Sequence, residues 1–289
     1  MLTTRRTGPG TSPVADGPGW RGGGAGIGTQ FRVLTGRQFR IIYGDRRIAL
    51  FSLLQPIIML MLFSQVLGRM ANPEIFPPGV RYLDYLVPAL LLTTGIGSAQ
   101  GGGLGLVRDM ESGMMVRLRV MPVRLPLVLV ARSLADLARV ALQLVALLAC
   151  AMGPLGYRPA GGVSGIVGAT LLALLVAWSL IWVFLALAAW LRSIEVLSSI
   201  GFLVTFPLMF ASSAFVPLDI LPGWLRVIAT VNPLTYAVEA SRDLALDHSA
   251  LGAALAAVGT SLALLAVTGL LAVRGLRRPP GAGGPHRTP

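Results

Sequence analysis

Six stretches of about 20 mostly apolar residues run through this chain, each the length needed to cross the hydrocarbon core of a bilayer. They fall at residues 48–67, 83–107, within 126–152, 166–189, 196–216 and 251–273. In lipid the backbone must satisfy its own hydrogen bonds, so runs of this length and spacing predict helices. Of 289 residues, 54% are hydrophobic and 12% charged, against about 25% charged in soluble domains. The expected fold is an all-α integral membrane protein with six transmembrane helices. Pro56, Pro88 and Pro207 lie inside spans, which membrane helices tolerate where neighbours re-satisfy the freed backbone groups.

The net charge is +12 and every basic residue is Arg; there is no Lys. The arginines divide by side when an even number of spans puts both ends of the chain together. Seventeen precede the first span, follow the second or fourth, or lie in the tail. Only Arg69, Arg81, Arg158, Arg226 and Arg242 lie on the opposite side, while Arg132 and Arg139 sit within the third stretch. By the positive-inside rule both termini are expected in the cytoplasm. The basic charge reads as topology and contact with anionic lipid, with no nucleic-acid partner.

Missing residues exclude chemistry. A phosphate-cradling P-loop needs its Lys, as does Schiff-base chemistry. One cysteine, Cys150, and two distant histidines, His248 and His286, give neither a disulfide nor a Cys/His metal cluster. The expectation is no catalytic residue, no cofactor and no metal in this chain. Residues 1–28 carry nine Gly and three Pro and read as a disordered arm. Gly17, Gly19 and Gly22 match a dinucleotide-binding spacing, but no strand precedes them. Residues 29–47 mix Phe31, Leu34, Ile41 and Ile42 with arginines. They suit an amphipathic helix in the interface; the other reading is the positive flank of the first span. Residues 48–273 form the six-span domain, and 274–289 a disordered cytoplasmic tail.

Two segments between spans have more character. In the loop after the second span, Asp109 is placed to cap a short helix and Pro122 to stop it. Met110, Met114, Leu118 and Met121 share one face beside Arg117 and Arg119. Such a face suits docking on another protein or resting on lipid. After the fifth span, Leu221, Trp224, Leu225 and Ile228 make a helical stripe that Asn232-Pro233 breaks. Asp219 is placed to cap this helix, with Pro222 in its first turn. A second short helix then follows, on which Glu239, Arg242 and Asp243 lie within pairing distance. This stretch is too broken to span and reads as a hairpin dipping into the outer leaflet.

Here the chain resembles permease subunits of type-2 ATP-binding cassette exporters, especially the daunorubicin-resistance-like drug exporters of bacteria. Those permeases carry an acidic-Gly-Pro loop after the second span and an LP-x-W-L…NP-x-T-Y…R signature before the sixth. The counterparts are Glu111-Ser112-Gly113 leading to Met121-Pro122-Val123, then Leu221-Pro222-Gly223-Trp224-Leu225, Asn232-Pro233-Leu234-Thr235-Tyr236, Glu239 and Arg242. Where the family often has Thr-x-Glu after the Gly, Met114-Met115-Val116-Arg117 stand here. The resemblance implies an ATP-driven export permease in the bacterial plasma membrane. A separate ATPase subunit would bind ATP and Mg, and a second permease copy or homologous permease would complete a pathway lined by the first, second and fifth spans. It implies an ATPase-coupling helix with Asp109, Glu111, Gly113, Met114, Arg117, Arg119 and Pro122. It also implies an outer gate hairpin with Pro217, Pro222, Trp224, Leu225, Asn232, Pro233, Tyr236, Glu239 and Arg242.

Inside the spans, Arg132, Asp136 and Arg139 share one helical face. Unpaired at mid-bilayer they would cost about 8–10 kcal/mol on the insertion scale. They are read as a patch neutralised within its own helix near the cytoplasmic edge, or as part of a transmission interface. The second span holds Gly97/Gly101 and Gly101/Gly105 pairs, a spacing that favours close helix contact. A secondary transporter is the alternative function, although no repeated halves or midplane acids are evident. An intramembrane hydrolase is disfavoured because both histidines lie outside the spans.

Overall fold

The computed structural model describes residues 46–70, 81–114, 125–210, 212–214, 222–246 and 251–278, together with 28, 32, 35 and 36. The arm, nearly all of the interfacial segment before residue 46, Arg117, Arg119, Pro122, Pro217, Asp219 and the tail beyond 278 lie outside the described residues. Everything described is helix or connection, with no strand. The helices are α1 (Arg46–Met70), α2 (Tyr82–Glu111), α3 (Leu125–Met152), α4 (Gly162–Leu191), α5 (Ile194–Phe210), α6 (Gly223–Val231), α7 (Pro233–Ala245) and α8 (Leu251–Arg277).

Among the described residues, three helical stretches are long and apolar enough to cross a membrane: Pro126–Met152, Gly162–Leu191 and Leu251–Arg277. The apolar parts of α1 and α5, Leu50–Val66 and Ile194–Pro207, are shorter. α2 has the length, but Gly, Thr, Gln and Asp dilute its apolar character.

α4 is the mast of the bundle. Its sequence is apolar on all sides, as befits a helix surrounded by others. α2 and α8 flank it, and α7 leans on its N-terminal half. The N–H of Gly161 donates to the Ala245 carbonyl at 2.9 Å, tying α7 to the start of α4. At its other end, Arg192 adopts a left-handed conformation (φ 52°) and its N–H closes on the Ala188 carbonyl.

The glycines of α2 pack in a different register from the expected four-residue pairs. A Cβ on Gly95 would sit 2.5 Å from the Ala177 Cβ, and one on Gly103 2.8 Å from the Phe184 carbonyl oxygen. These two positions set the close approach to α4. Gly101, common to both expected pairs, faces open space. The spacing marks a small-residue face, but α2 has neighbours on several sides, and Gly95 and Gly103 fall on the one turned to α4.

One proline shows how the bundle repairs a broken helix. Pro56 has no N–H to offer the Ser52 carbonyl four residues back. The Gln143 amide of α3 donates to that carbonyl at 2.7 Å, and its oxygen accepts from the Ser98 hydroxyl of α2 at 2.7 Å. A single buried side chain thus joins α1, α2 and α3. Gln143→Leu removes both of these bonds, one to α1 and one to α2. It should lower stability by about 2 kcal/mol, read as a fall of a few degrees in the thermal unfolding midpoint in detergent. Adding Pro56→Ala restores the missing N–H and should recover most of the loss. An unchanged midpoint in Gln143→Leu would show that the Ser52 carbonyl has another partner.

Candidate functional site

Polar chemistry gathers at the two ends of the bundle and in a cleft between them. At the first end, α2 begins, α3 finishes, and α6 and α7 form a helical hairpin. The hairpin signature has a local physical explanation. Asn232 caps α7 by accepting from the Leu234 N–H at 2.9 Å. Pro233 fills the first helical position, where its missing N–H costs nothing. The Tyr236 hydroxyl donates to the Thr230 carbonyl at 2.6 Å and holds α7 against the last turn of α6. α6 starts at Gly223, so Pro222 stands at its N-cap rather than in its first turn. Trp224 and Ile228 are exposed and Leu225 is half-buried, which leaves most of the expected apolar stripe facing outward.

Arg242 is the buried centre of this end. The expectation paired it with acids of its own helix, but its guanidinium turns across the bundle. It lies over the Tyr85 ring, 3.4 Å from the centroid, and donates to the Ser213 carbonyl at 3.0 Å. The Tyr85 hydroxyl donates to the same carbonyl at 2.9 Å. The turn after α5 is therefore clamped between α2 and α7. Glu239 lies nearby; burial pushes its carboxyl above the usual range, against the pull of Arg242. Tyr85 was not singled out from sequence, since a Tyr at the start of a span reads as an interface anchor. Arg81 and Asp84 complete this end with an exposed pair at 3.1 Å.

At the opposite end α2 runs through Glu111, so Asp109 belongs to its last turn rather than capping a separate helix. An acid there opposes the helix dipole, and a cation answers it. Arg132 of α3 donates to Asp109 Oδ2 at 2.5 Å and to the Gly102 carbonyl at 3.1 Å. The patch of Arg132, Asp136 and Arg139 is thus linked to α2 and is not neutralised solely within α3. Asp136, the expected partner, is buried with its carboxylate 4.0 Å from Arg132, and Arg139 is half-buried one turn on. Beyond Asp109 the chain turns at Ser112 and Gly113, the latter at φ +71°. Met110 and Met114 pack against the chain's own core. In the described part of the loop the outward groups are Glu111 and Ser112.

Between the ends lies a small open cleft. α1 contributes Gln55, Pro56, Met59 and Phe63; α2 contributes Leu90, Thr93, Thr94 and Gly97; Gln143 and Met209 close it. Its lining carries no charged side chain. The threonine hydroxyls already donate to carbonyls of their own helix, Thr93 to Ala89 and Thr94 to Leu90. The Gln55 amide is the exposed polar group on the α1 wall. Among the described residues no group of His, Cys, Asp and Glu is placed to hold a metal.

Comparison with known proteins agrees with this arrangement. The family model for the ABC-2 type transporter matches residues 29–246. A daunorubicin resistance ABC transporter permease protein, DrrB1, of Streptomyces coeruleorubidus is 30% identical over 191 residues, 66% of each chain. A putative transport permease, ycf38, of Porphyra purpurea is 29% identical over 213 residues, 74% of this chain and 72% of its own. A probable doxorubicin resistance ABC transporter permease protein, DrrC, of Mycobacterium tuberculosis is 26% identical over 204 residues, 68% of this chain and 69% of its own. With its all-helical bundle, its apolar spans and a family match across most of its length, the chain belongs to the ABC-2 type transporter family, as a membrane permease subunit whose ATP hydrolysis resides in a separate ATPase.

Proposed function

We propose that this permease exports uncharged or weakly charged lipophilic compounds of drug size from a bacterial cytoplasm or inner leaflet. The observation that carries the reading is the cleft. It opens among α1, α2 and α5, and its lining is apolar apart from amides and hydroxyls, the character of a site for lipophilic small molecules. A cleft without a carboxylate selects by shape and hydrogen bonding rather than by positive charge. Two relatives carry daunorubicin or doxorubicin resistance in their names, so an anthracycline is the first compound to test.

The rest of the reading is topological. Counting α1, α2 and α5 among six spans puts both termini on one side, and the arginine excess there supports the cytoplasm. Arg274, Arg277 and Arg278, exposed where α8 finishes, then face anionic headgroups, while Arg192 holds the Gly275 and Arg278 carbonyls. The loop after Glu111 seats the ATPase as a coupling segment that includes Arg117, Arg119 and Pro122. The α6–α7 hairpin closes the outer exit, with its exposed apolar stripe against lipid or a second permease copy. The chain before α1 and beyond α8 lies on the cytoplasmic side in this reading; α8 runs on through Arg277, into the segment expected as tail.

In proteoliposomes holding the permease and its ATPase, doxorubicin should accumulate only with ATP and Mg, and a proton gradient alone should drive nothing. Transport by the permease without an ATPase would favour the secondary-transporter reading. Glu111→Arg should reduce ATP-driven transport by about tenfold, a typical coupling energy, while leaving doxorubicin binding unchanged. At the outer end, Tyr85→Phe should cost about 1 kcal/mol, because Arg242 still serves the Ser213 carbonyl. The double variant Tyr85→Phe with Arg242→Met leaves that carbonyl unserved by either clamp residue. It should lose more stability than the two single losses summed, as read by thermal unfolding. Additive losses would show that the two side chains do not share the Ser213 carbonyl as one clamp.

A further inference from the structure

The glycines of α2 that do not approach α4 have another use. A Cβ on Gly105 would fall onto the Arg132 guanidinium, and one on Gly102 would sit 2.5 Å from Asp136 Oδ2. Gly105 and Gly102 are thus the seats in which two charged side chains of α3 lie across α2. Arg132 then forks along α2. Its Nε holds the Gly102 carbonyl at 3.1 Å, and its Nη1 holds Asp109, seven residues and about two turns further on. Both side chains of the ion pair are largely buried, 12% and 20% exposed, so solvent does little to weaken it.

We propose that Arg132 is the positioning residue through which movement of the coupling segment enters the membrane domain; this rests on the exporter reading above. Asp109 stands three residues before Ser112, where α2 ends and the chain turns into that segment. A tilt or rotation of this last turn is imposed on the Arg132 fork, because a planar guanidinium holding two acceptors resists being swung about one of them. The load passes into α3. Gln143 lies eleven residues on, three helical turns, and so on the same face of α3 as Arg132. It lines the cleft and holds α1 at the Pro56 break. α3 is thus a rod of about 16 Å between latch and cleft, with Arg132 engaging α2 at one end and Gln143 engaging α1 and α2 at the other.

Gly105→Ala separates this role from folding. It displaces the flexible tip of Arg132 and removes no charge, and Gly101→Ala on the same helix is the control, since nothing lies within 4 Å of its new methyl. The permease–ATPase complex is reconstituted and given doxorubicin as probe. Drug moved per ATP hydrolysed, complex recovery and thermal midpoint are measured together. Wild type and Gly101→Ala should share one transport-to-hydrolysis ratio. Gly105→Ala and Arg132→Gln should lower it by about tenfold, with complex recovery unchanged. The double variant should be no worse than Arg132→Gln alone. If Arg132→Gln does not fold, Gly105→Ala decides the matter. A Gly105→Ala variant that pumps like Gly101→Ala overturns the latch. So does one whose recovery and midpoint fall in step with transport, which marks a purely structural role. A wild-type complex that binds its ATPase yet moves no probe overturns the exporter reading, and the latch with it.

Discussion

Lipid offers no hydrogen-bond partner, and the architecture follows from that constraint. Every buried polar group in the spans must be answered from within the protein or bear a cost of several kcal/mol. The answers here come from neighbouring helices. Gln143 replaces the N–H that Pro56 lacks, Arg132 answers Asp109 at the end of α2, and Arg242 shares the Ser213 carbonyl with Tyr85. Each joins helices that apolar packing alone would leave free to slide, since lipid tails are as apolar as the helix faces. The polar contacts therefore fix register, while the apolar surface fixes only the tendency to insert.

α2 carries both charged assemblies. Tyr85 lies near one end of it and Asp109 near the other, 24 residues apart, about 36 Å of helix. Between them its glycines let α4 approach at Gly95 and Gly103 and seat the α3 side chains at Gly102 and Gly105. A helix built this way touches the clamp on the hairpin, the wall of the cleft and the base of the coupling segment. Its low apolar content, the reason it reads poorly as a span by hydropathy, is the consequence of having partners on so many sides. The permease needs no ATP chemistry of its own, in line with a chain that has no lysine; what it supplies is a connected set of rods and joints.

Much of this was legible in the sequence where the physics is local. Long apolar runs mark helices that must insert. The Asn232-Pro233 break between two short helices was read from sequence and falls between α6 and α7; the Asn232 cap and the Tyr236 bond to Thr230 emerge only in the structure. Partners across the bundle were not legible. Arg132 meets an acid 23 residues earlier, and Arg242 meets a ring 157 residues earlier. Helical spacing proposes partners only on the same helix: it points to Asp136, which does lie 4.0 Å from Arg132, and to Glu239, but never to Asp109 or Tyr85. The glycine pairs were read in the commonest packing register, although Gly101 faces open space. Met110 and Met114 were read as part of a face for docking a protein or resting on lipid, but they pack against their own core.

The central claim is that the Asp109–Arg132 end and the hairpin end of this bundle stand on opposite sides of the membrane, so that a load applied at one can open the other. Single-cysteine labelling tests it most directly. With Cys150→Ala removing the native thiol, Glu111→Cys and Gly223→Cys each place one thiol at an exposed position. A membrane-impermeant maleimide added to intact cells should label Gly223→Cys and spare Glu111→Cys, and in inverted vesicles the pattern should reverse. Labelling of both positions from the same side would contradict the account.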